Sequence, residues 1–258
     1  MDFNLSDEQR MIYGYGEQLS RTYGHDYWMA KARCHEFPRE MWQQMAEDGF
    51  LGAMIPEIYG GAGLGMMEMT LLMEGMSNAG IPMLMLVVGP TMSLAPIADH
   101  GSEDQKQRWL PAACRGEINF CFAITEATAG TNSIKINTLA RANGNRFSMS
   151  GSKTFITGAD VCDYALFVAR TTPHGEVKRK TDGFTLFIVD LNAKGVERHP
   201  IDINLPIPES QFTIFFDEVD LGLENVIGEV GRGFDILFDS LNPERILVGM
   251  EAVGIGQN

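Results

Sequence analysis

At 258 residues the chain is long enough to bury a large core in one or two domains. Hydrophobic residues at 45% and charged residues at 21% describe a globular protein, and a formal charge of −14, from 34 acidic against 20 basic residues, argues against nucleic acid as a partner. The four cysteines (Cys34, Cys114, Cys121, Cys162) show no C-x-x-C spacing and the five histidines are scattered, so neither a zinc site nor a disulfide framework is expected and a reducing, cytoplasmic setting fits.

The N-terminal Met1-Asp2-Phe3-Asn4 lacks the basic region and apolar run of a signal peptide. The most apolar run, Ile81 to Val88, is stopped by Gly89-Pro90 well short of the ~20 residues of a membrane span, so no span is expected.

In chain order, Ser6 and Gln9 form a capping box, followed by Met11, Ile12, Tyr15, Leu19 and Tyr23 at helical spacing, so a helix is predicted from about Asp7. Pro38 suits the first turn of a second helix carrying Met41, Trp42 and Met45 and ending near Gly49. The glycine-rich loop Pro56 to Gly65 lacks G-x-G-x-x-G spacing and a surrounding βαβ unit, and reads as a turn. Met66 to Ser77 and Met83 to Ala98 are apolar on most faces and read as buried helices. A second capping box, Ser102 to Gln105, opens a helix carrying Trp109 and ending at Pro111.

From Ile118 the hydrophobic period changes from 3.6 to 2, with strands expected near 119–125, 138–142, 146–150, 153–158, 164–170, 183–189 and 212–219. Asn143-Gly144-Asn145 supplies hairpin chemistry. Gly151-Ser152-Lys153-Thr154 has only a superficial likeness to the end of a P-loop, since glycine does not adjoin lysine and a strand continues through it. Pro173 to Lys180 reads as a solvated loop. After Gly231-Arg232-Gly233 the helical period returns with Phe234, Leu237, Phe238 and Leu241, then Ile246, Leu247, Met250 and Val253, leaving an apolar stripe for a partner to cover.

Two stretches carry candidate chemistry. The apolar strand Phe120 to Ile124 breaks at Thr125 into Glu126-Ala127-Thr128-Ala129-Gly130-Thr131-Asn132-Ser133, a loop of small and hydroxylated residues whose backbone N–H groups suit an anion. Downstream, Met149, Gly151, Lys153, Phe155 and Thr157 alternate with Ser150, Ser152, Thr154 and Ile156, so one strand face is expected to present an aromatic ring and, two residues on, a hydroxyl. Taken singly, the first is an ordinary loop and the second an ordinary core aromatic.

Together they resemble the flavin-binding signature of the acyl-CoA dehydrogenase family. The resemblance runs from Phe3-Asn4-Leu5-Ser6-Asp7-Glu8-Gln9 through Phe37-Pro38-Arg39-Glu40-Met41-Trp42, Ile55-Pro56-Glu57-Ile58-Tyr59-Gly60-Gly61, Gly101-Ser102-Glu103-Asp104-Gln105-Lys106 and Leu110-Pro111 to Gly231-Arg232-Gly233-Phe234 and the last residue. It implies an α+β fold: an N-terminal all-α domain (1–117), a central antiparallel β-barrel-like domain (118–230), and the first helix (231–258) of a truncated C-terminal four-helix domain. The abrupt end at Gln257-Asn258 is expected to reflect a piece of a longer enzyme; a half-site or noncatalytic subunit that completes a flavin site with a second chain is the other reading.

The resemblance further implies FAD as cofactor, lined by Phe122 to Thr131. Ile124 and Thr125 are expected at the pyrimidine edge, Gly130 and Thr131 at the pyrophosphate, Phe155 and Ile156 against the ring, and Thr157 near N5. The proline that commonly follows the Thr-Glu pair in the family is Ala127 here. Asn242-Pro243-Glu244-Arg245 resembles the segment that meets the CoA thioester arm, so Thr131, Asn242 and Arg245 are expected to bind substrate. In some branches of the family the catalytic base sits at the position of Glu244; an exposed glutamate beside an arginine is the alternative. The implied partners are an acyl-CoA, an electron-transfer flavoprotein and further copies of the chain in a dimer or tetramer. The implied reaction is α,β-dehydrogenation, with a flavin oxidase or monooxygenase and an enoyl-CoA reductase as alternatives on the same fold.

Overall fold

A computed structural model describes residues 4–258; Phe3 of the N-terminal resemblance lies outside the described residues. The predicted first helix is α1 (Asp7–Cys34), opened by the Ser6–Gln9 capping box, in which Gln9 N donates to Ser6 Oγ and Ser6 N to Gln9 Oε1, both at 3.1 Å. Ile12, Leu19 and Trp28 bury its inner face. α1 meets α3 (Met66–Asn78) backbone to backbone: a Cβ on Gly75 would lie 2.3 Å from the Tyr13 carbonyl oxygen, so only glycine permits this approach. α2 (Arg39–Glu47) is capped by Pro38, which therefore precedes the first turn, and buries Met41, Trp42 and Met45. The Trp42 indole N–H donates to Asn119 Oδ1 at 2.8 Å, fastening α2 to the start of the sheet region.

The expected helix over 83–98 is helical from Leu84 to His100 but changes pitch. Between α4 (Leu84–Leu86) and α5 (Ala95–His100) lies a π-helical segment, Val87–Leu94, around Pro90. Proline breaks the α ladder, and the Thr91 and Ser93 hydroxyls take up carbonyls five residues back, those of Leu86 (3.4 Å) and Val88 (2.7 Å). The expectation that the next helix ends at Pro111 is corrected: α6 runs Glu103–Cys114. Pro111 forfeits one helical hydrogen bond, whereas continuing the helix buries Trp109, Leu110, Ala113 and Cys114 on one side.

The sheet contains β1 (Phe120–Ala123), β2 (Leu139–Asn143), β3 (Arg146–Thr157), β4 (Tyr164–Arg170), β5 (Phe184–Asp190), β6 (Val196–Ile201), β7 (Gln211–Gly222) and β8 (Val226–Ile227). Its order is β6-β7-β3-β2-β4-β5-β8, with β1 pairing β4 off this path. The helical region followed by a sheet matches the α+β expectation; pairing is antiparallel except for β1–β4 and the single β2–β4 contact, Leu139 with Arg170. The segments expected at 146–150 and 153–158 are one strand, β3, whose register against β7 shifts twice. β6 was not foreseen because Glu197, Arg198, His199 and Pro200 do not read as a strand; it pairs at the sheet edge, where proline is tolerated.

α7 (Gly233–Gln257) follows and continues through Pro243. It returns to the helical layer, where Gly254 packs on α3 so closely that a Cβ would sit 2.6 Å from the Glu74 carbonyl oxygen.

Candidate functional site

The strand face expected around Phe155 is corrected by a bulge. Register shifts between Lys153 and Ile156, and Phe155 takes φ 55°, a left-handed conformation uncommon for a bulky residue. Regular alternation therefore fails: Lys153, Ile156 and Thr157 turn inward while the Phe155 ring stands 59% exposed. Thr157 is braced by Gln211, whose Nε2 donates to Thr157 Oγ1 at 2.9 Å, leaving the hydroxyl proton a choice between Gln211 Oε1 (3.2 Å) and a ligand.

Lys153, placed on a strand by the sequence, is fully buried. Its Nζ lies 2.9 Å from Glu126 Oε1 and donates at 2.9 Å to the Ile124 carbonyl oxygen. Burial lowers the lysine pKa to about 8, against the opposing pull of Glu126. Burial raises the Glu126 pKa in turn, but the Lys153 charge and backbone donors outweigh it and hold the carboxyl below its usual range. Those donors are the N–H groups of Asn137 (2.7 Å) and Thr138 (3.0 Å). One carboxylate thus closes the loop 125–138 on itself, and Thr154 N to Thr125 O at 2.9 Å adds a backbone tie between loop and bulge.

Arg170, at the end of β4, supports the same loop from below. Its guanidinium is buried and donates to the carbonyls of Ile134, Ile136, Lys180 and Asp182 at 2.8 to 3.1 Å. A planar fork with five donors suits this four-carbonyl cluster, which a lysine would leave partly unsatisfied.

The loop and α7 enclose a cavity of about 470 Å³. From the loop side come Ile124, Thr125 and Gly130 to Ile134; from α7 come Phe234, Phe238, Leu241, Glu244 and Arg245, and Met92 of the π-helical segment closes the end. Burial raises the Glu244 pKa, and the neighbouring Arg245 charge offsets part of that rise. Arg245 Nη1 donates to Asn242 Oδ1 at 2.7 Å. Among the described residues, the Thr125 and Thr131 hydroxyls and the Gly130 and Thr131 N–H groups make no hydrogen bond. The arrangement combines a half-buried carboxylate, a fixed cation and unspent donors, suited to removing a proton beside an anionic or polar ligand.

Of the residues expected at the site, Ile124, Thr125, Gly130, Thr131, Glu244 and Arg245 border this one cavity. Phe122, Phe155, Ile156, Thr157 and Asn242 do not: Phe122 and Ile156 are core, Thr157 pairs with Gln211, and Phe155 and Asn242 face outward. Phe234, Phe238, Leu241 and Met92 were missed, because the first three repeat at helical spacing and read as packing and the fourth is one methionine among many.

Residues 6–117 match the model of the acyl-CoA dehydrogenase N-terminal domain, and residues 121–219 that of the acyl-CoA dehydrogenase middle domain. The chain belongs to the acyl-CoA dehydrogenase family. It is 43% identical over 255 residues to acyl-CoA dehydrogenase FadE12 of Mycobacterium tuberculosis, an alignment covering 99% of this chain and 65% of that protein. It is 30% identical to the short-chain specific acyl-CoA dehydrogenase of Clostridium acetobutylicum, covering 100% of this chain and 67% of that one. Among solved structures, the butyryl-CoA dehydrogenase of Megasphaera elsdenii superposes with a TM-score of 0.91 at 26% identity, covering 100% of this chain and 68% of that one.

The chain therefore spans about two thirds of the length of these acyl-CoA dehydrogenases. Among the described residues no helix is long and apolar enough to cross a membrane, and no group of three or more metal-ligating side chains gathers.

Proposed function

We propose that the enzyme is an FAD-dependent acyl-CoA dehydrogenase that converts an acyl-CoA thioester to its trans-2-enoyl-CoA and passes the electrons to an electron-transfer flavoprotein. The observation that carries this reading is the Glu244 carboxylate, half-buried and sharing one cavity with Arg245 and with the unspent donors of Thr125, Gly130 and Thr131. Family membership supports it.

The donor set fits FAD. Free N–H groups at Gly130 and Thr131 suit a pyrophosphate, and the Thr125 hydroxyl beside Ile124 suits the polar edge of a pyrimidine ring. When bound, FAD supplies the acceptor for the substrate's β-hydride. Phe122 and Ile156 pack behind the strand, the exposed Phe155 ring offers an apolar flank, and the Thr157 proton is placed by Gln211 for donation to the cofactor.

Thr131 and Arg245 address the thioester arm, with Arg245 as a permanent cation oriented from outside the cavity by Asn242. Glu244 removes the α-proton. Burial makes its carboxylate a stronger base than an exposed glutamate, and the Arg245 charge offsets part of that rise.

Reduction of an unsaturated acyl group is a second reading, since the chain is also 34% identical to a protein named 3-(aryl)acrylate reductase in Clostridium sporogenes. Glu244 would then deliver the proton that it removes in the forward direction. An electron-transfer flavoprotein partner is supported by the chain's 31% identity to a caffeyl-CoA reductase–Etf complex subunit of Acetobacterium woodii. A homodimer or homotetramer is supported by the exposed Ile246, Val248, Val253 and Ile255 of α7.

The purified protein should be yellow and lose its colour anaerobically on addition of acyl-CoA. A colourless preparation unaffected by added FAD and acyl-CoA would contradict the proposal. Oxygen consumption without an added acceptor identifies an oxidase or monooxygenase, and reoxidation of reduced enzyme by an enoyl-CoA in preference to an electron-transfer flavoprotein identifies a reductase.

A further inference from the structure

Lys153 is a costly group to bury, and a buried ion pair is a weak source of stability beside apolar residues of the same volume. Its Nζ carries three donors. One serves Glu126 Oε1 and one the Ile124 carbonyl oxygen, both at 2.9 Å, and the ammonium lies 5.0 Å from the centre of the Phe167 ring. Among the described residues Glu126 is the charged group that acts on it. Arg170 of β4 is the next charge, and it meets Glu126 rather than Lys153. Closure of the loop through the Asn137 and Thr138 N–H groups accounts for the carboxylate. The bond from the ammonium to Ile124 points elsewhere, to the wall of the cavity.

Ile124 and Thr125 both border that cavity, whereas Lys153 lies behind them in the core. The peptide that joins the two is planar and trans, so its C=O and its N–H point in opposite directions. With the Ile124 carbonyl held on the ammonium, the Thr125 N–H is turned away from Lys153, and it makes no hydrogen bond among the described residues. The following peptide is fixed as well, since the Thr125 carbonyl accepts from Thr154 N at 2.9 Å. Thr125 is thus held on both sides with one donor left over. The ion pair has a direction too. Its ammonium meets the wall residue Ile124, while its carboxylate reaches Asn137 and Thr138 farther along the loop. The end of the pair that meets the wall is the positive one.

We propose that Lys153 is a positioning residue for the cofactor: it turns the Ile124–Thr125 peptide so that the Thr125 N–H meets the pyrimidine edge of the flavin, and its charge, acting through that peptide, favours the reduced cofactor over the oxidised one. The inference rests on the FAD reading above. Two added electrons make the ring system a stronger acceptor, and the amide that meets it is one whose dipole the ammonium strengthens. A residue that only ordered the loop would help both oxidation states bind alike. Their equilibrium would then be unmoved, because only a difference in affinity shifts it. The coupling is reciprocal, so the reduced cofactor holds the Lys153 proton more firmly than the oxidised one does. Burial brings the lysine pKa down to about 8, against the pull of Glu126. Above that value reduction takes up one further proton, at Nζ, along with its two electrons.

The test is a dye-equilibrated reductive titration of the FAD-loaded protein, comparing wild type with the double variant Lys153→Met, Glu126→Gln, in which no charge is stranded. The variant's equilibrium should move roughly tenfold toward the oxidised cofactor, a fall of about 30 mV in the two-electron potential. A variant potential that lies above the wild-type value, or less than about 9 mV below it, a twofold change, overturns the proposal. In the wild type the potential should fall more steeply with pH between about pH 7 and pH 9, by up to about 30 mV per pH unit for the extra proton. A slope that does not steepen there also overturns it, and this profile decides the matter if the double variant does not load FAD. Wild-type protein that takes up no FAD removes the FAD reading and this inference with it; loaded protein whose potential ignores Lys153 overturns this inference alone.

Discussion

Lys153 Nζ sits 2.9 Å from Glu126 Oε1, and through that contact the bulged strand that carries Phe155 is tied to the loop that carries Thr125, Gly130 and Thr131. Lys153 is fully buried and Glu126 nearly so, and each partner makes further hydrogen bonds to backbone groups of the loop. Removing one member leaves the other buried and uncompensated.

Lys153→Met should therefore destabilise the fold by about 3–5 kcal/mol in urea unfolding. Lys153→Met with Glu126→Gln should cost less than the sum of the two single changes, because neither charge is then stranded. A single-variant loss below about 1 kcal/mol would show that the pair does not hold the two segments together.

Phe155 separates packing from ligand binding. Its ring is mostly exposed, so Phe155→Ala should change unfolding stability by no more than about 0.5 kcal/mol. The same variant should release FAD more readily in a fluorescence titration, since an aromatic face against the ring system is lost. Unchanged FAD affinity would remove Phe155 from the cofactor site.

Arg170→Lys should cost about 2–3 kcal/mol, because an ammonium cannot reach the four carbonyls that the guanidinium serves. The loop 131–137 should then exchange its amide hydrogens faster. Wild-type protection in that loop would show that Glu126 alone is sufficient to order it.

The buried Glu209 gives stability a definite pH dependence. Its folded pKa, about 7, lies above the ordinary value of 4.5, so the folded state holds the proton more tightly than the unfolded chain. The associated stability is complete below about pH 4.5, falls as pH rises, and is gone above about pH 7, a change of about 3 kcal/mol. Measured against Glu209→Gln, which does not titrate, the wild type should lose stability steadily between about pH 5 and pH 7. A difference that is flat across this range would contradict a raised pKa at Glu209.

Much of the helical region was legible because its signals are local. Ser6–Gln9 and Ser102–Gln105 are complete capping boxes whose bonds depend on neighbours three residues away. The errors came where tertiary burial overrode a local rule. Pro111 sits inside a helix that packing continues past it, whereas the helices expected across Pro90 and Pro243 do form, the first by a change of pitch. β6 holds its place at an edge despite Pro200.

The site was legible in part for the same reason. The small-residue loop and the Glu244–Arg245 pair, both singled out from sequence, border one cavity. The bulge at Phe155 was hidden because alternation assumes unbroken register, and a one-residue shift exchanges the faces. Lys153–Glu126 was invisible because the pair joins residues far apart in the chain, and no spacing within one element announces it.

The proton-abstracting role of Glu244 is tested most directly by Glu244→Gln in the FAD-loaded enzyme, following flavin reduction by acyl-CoA in a stopped-flow instrument. Loss of a general base should slow the reduction by roughly 10²–10⁴-fold while FAD stays bound. Reduction at the wild-type rate by the variant would show that another group takes the α-proton and that the cavity between the loop and α7 is not where the chemistry is done.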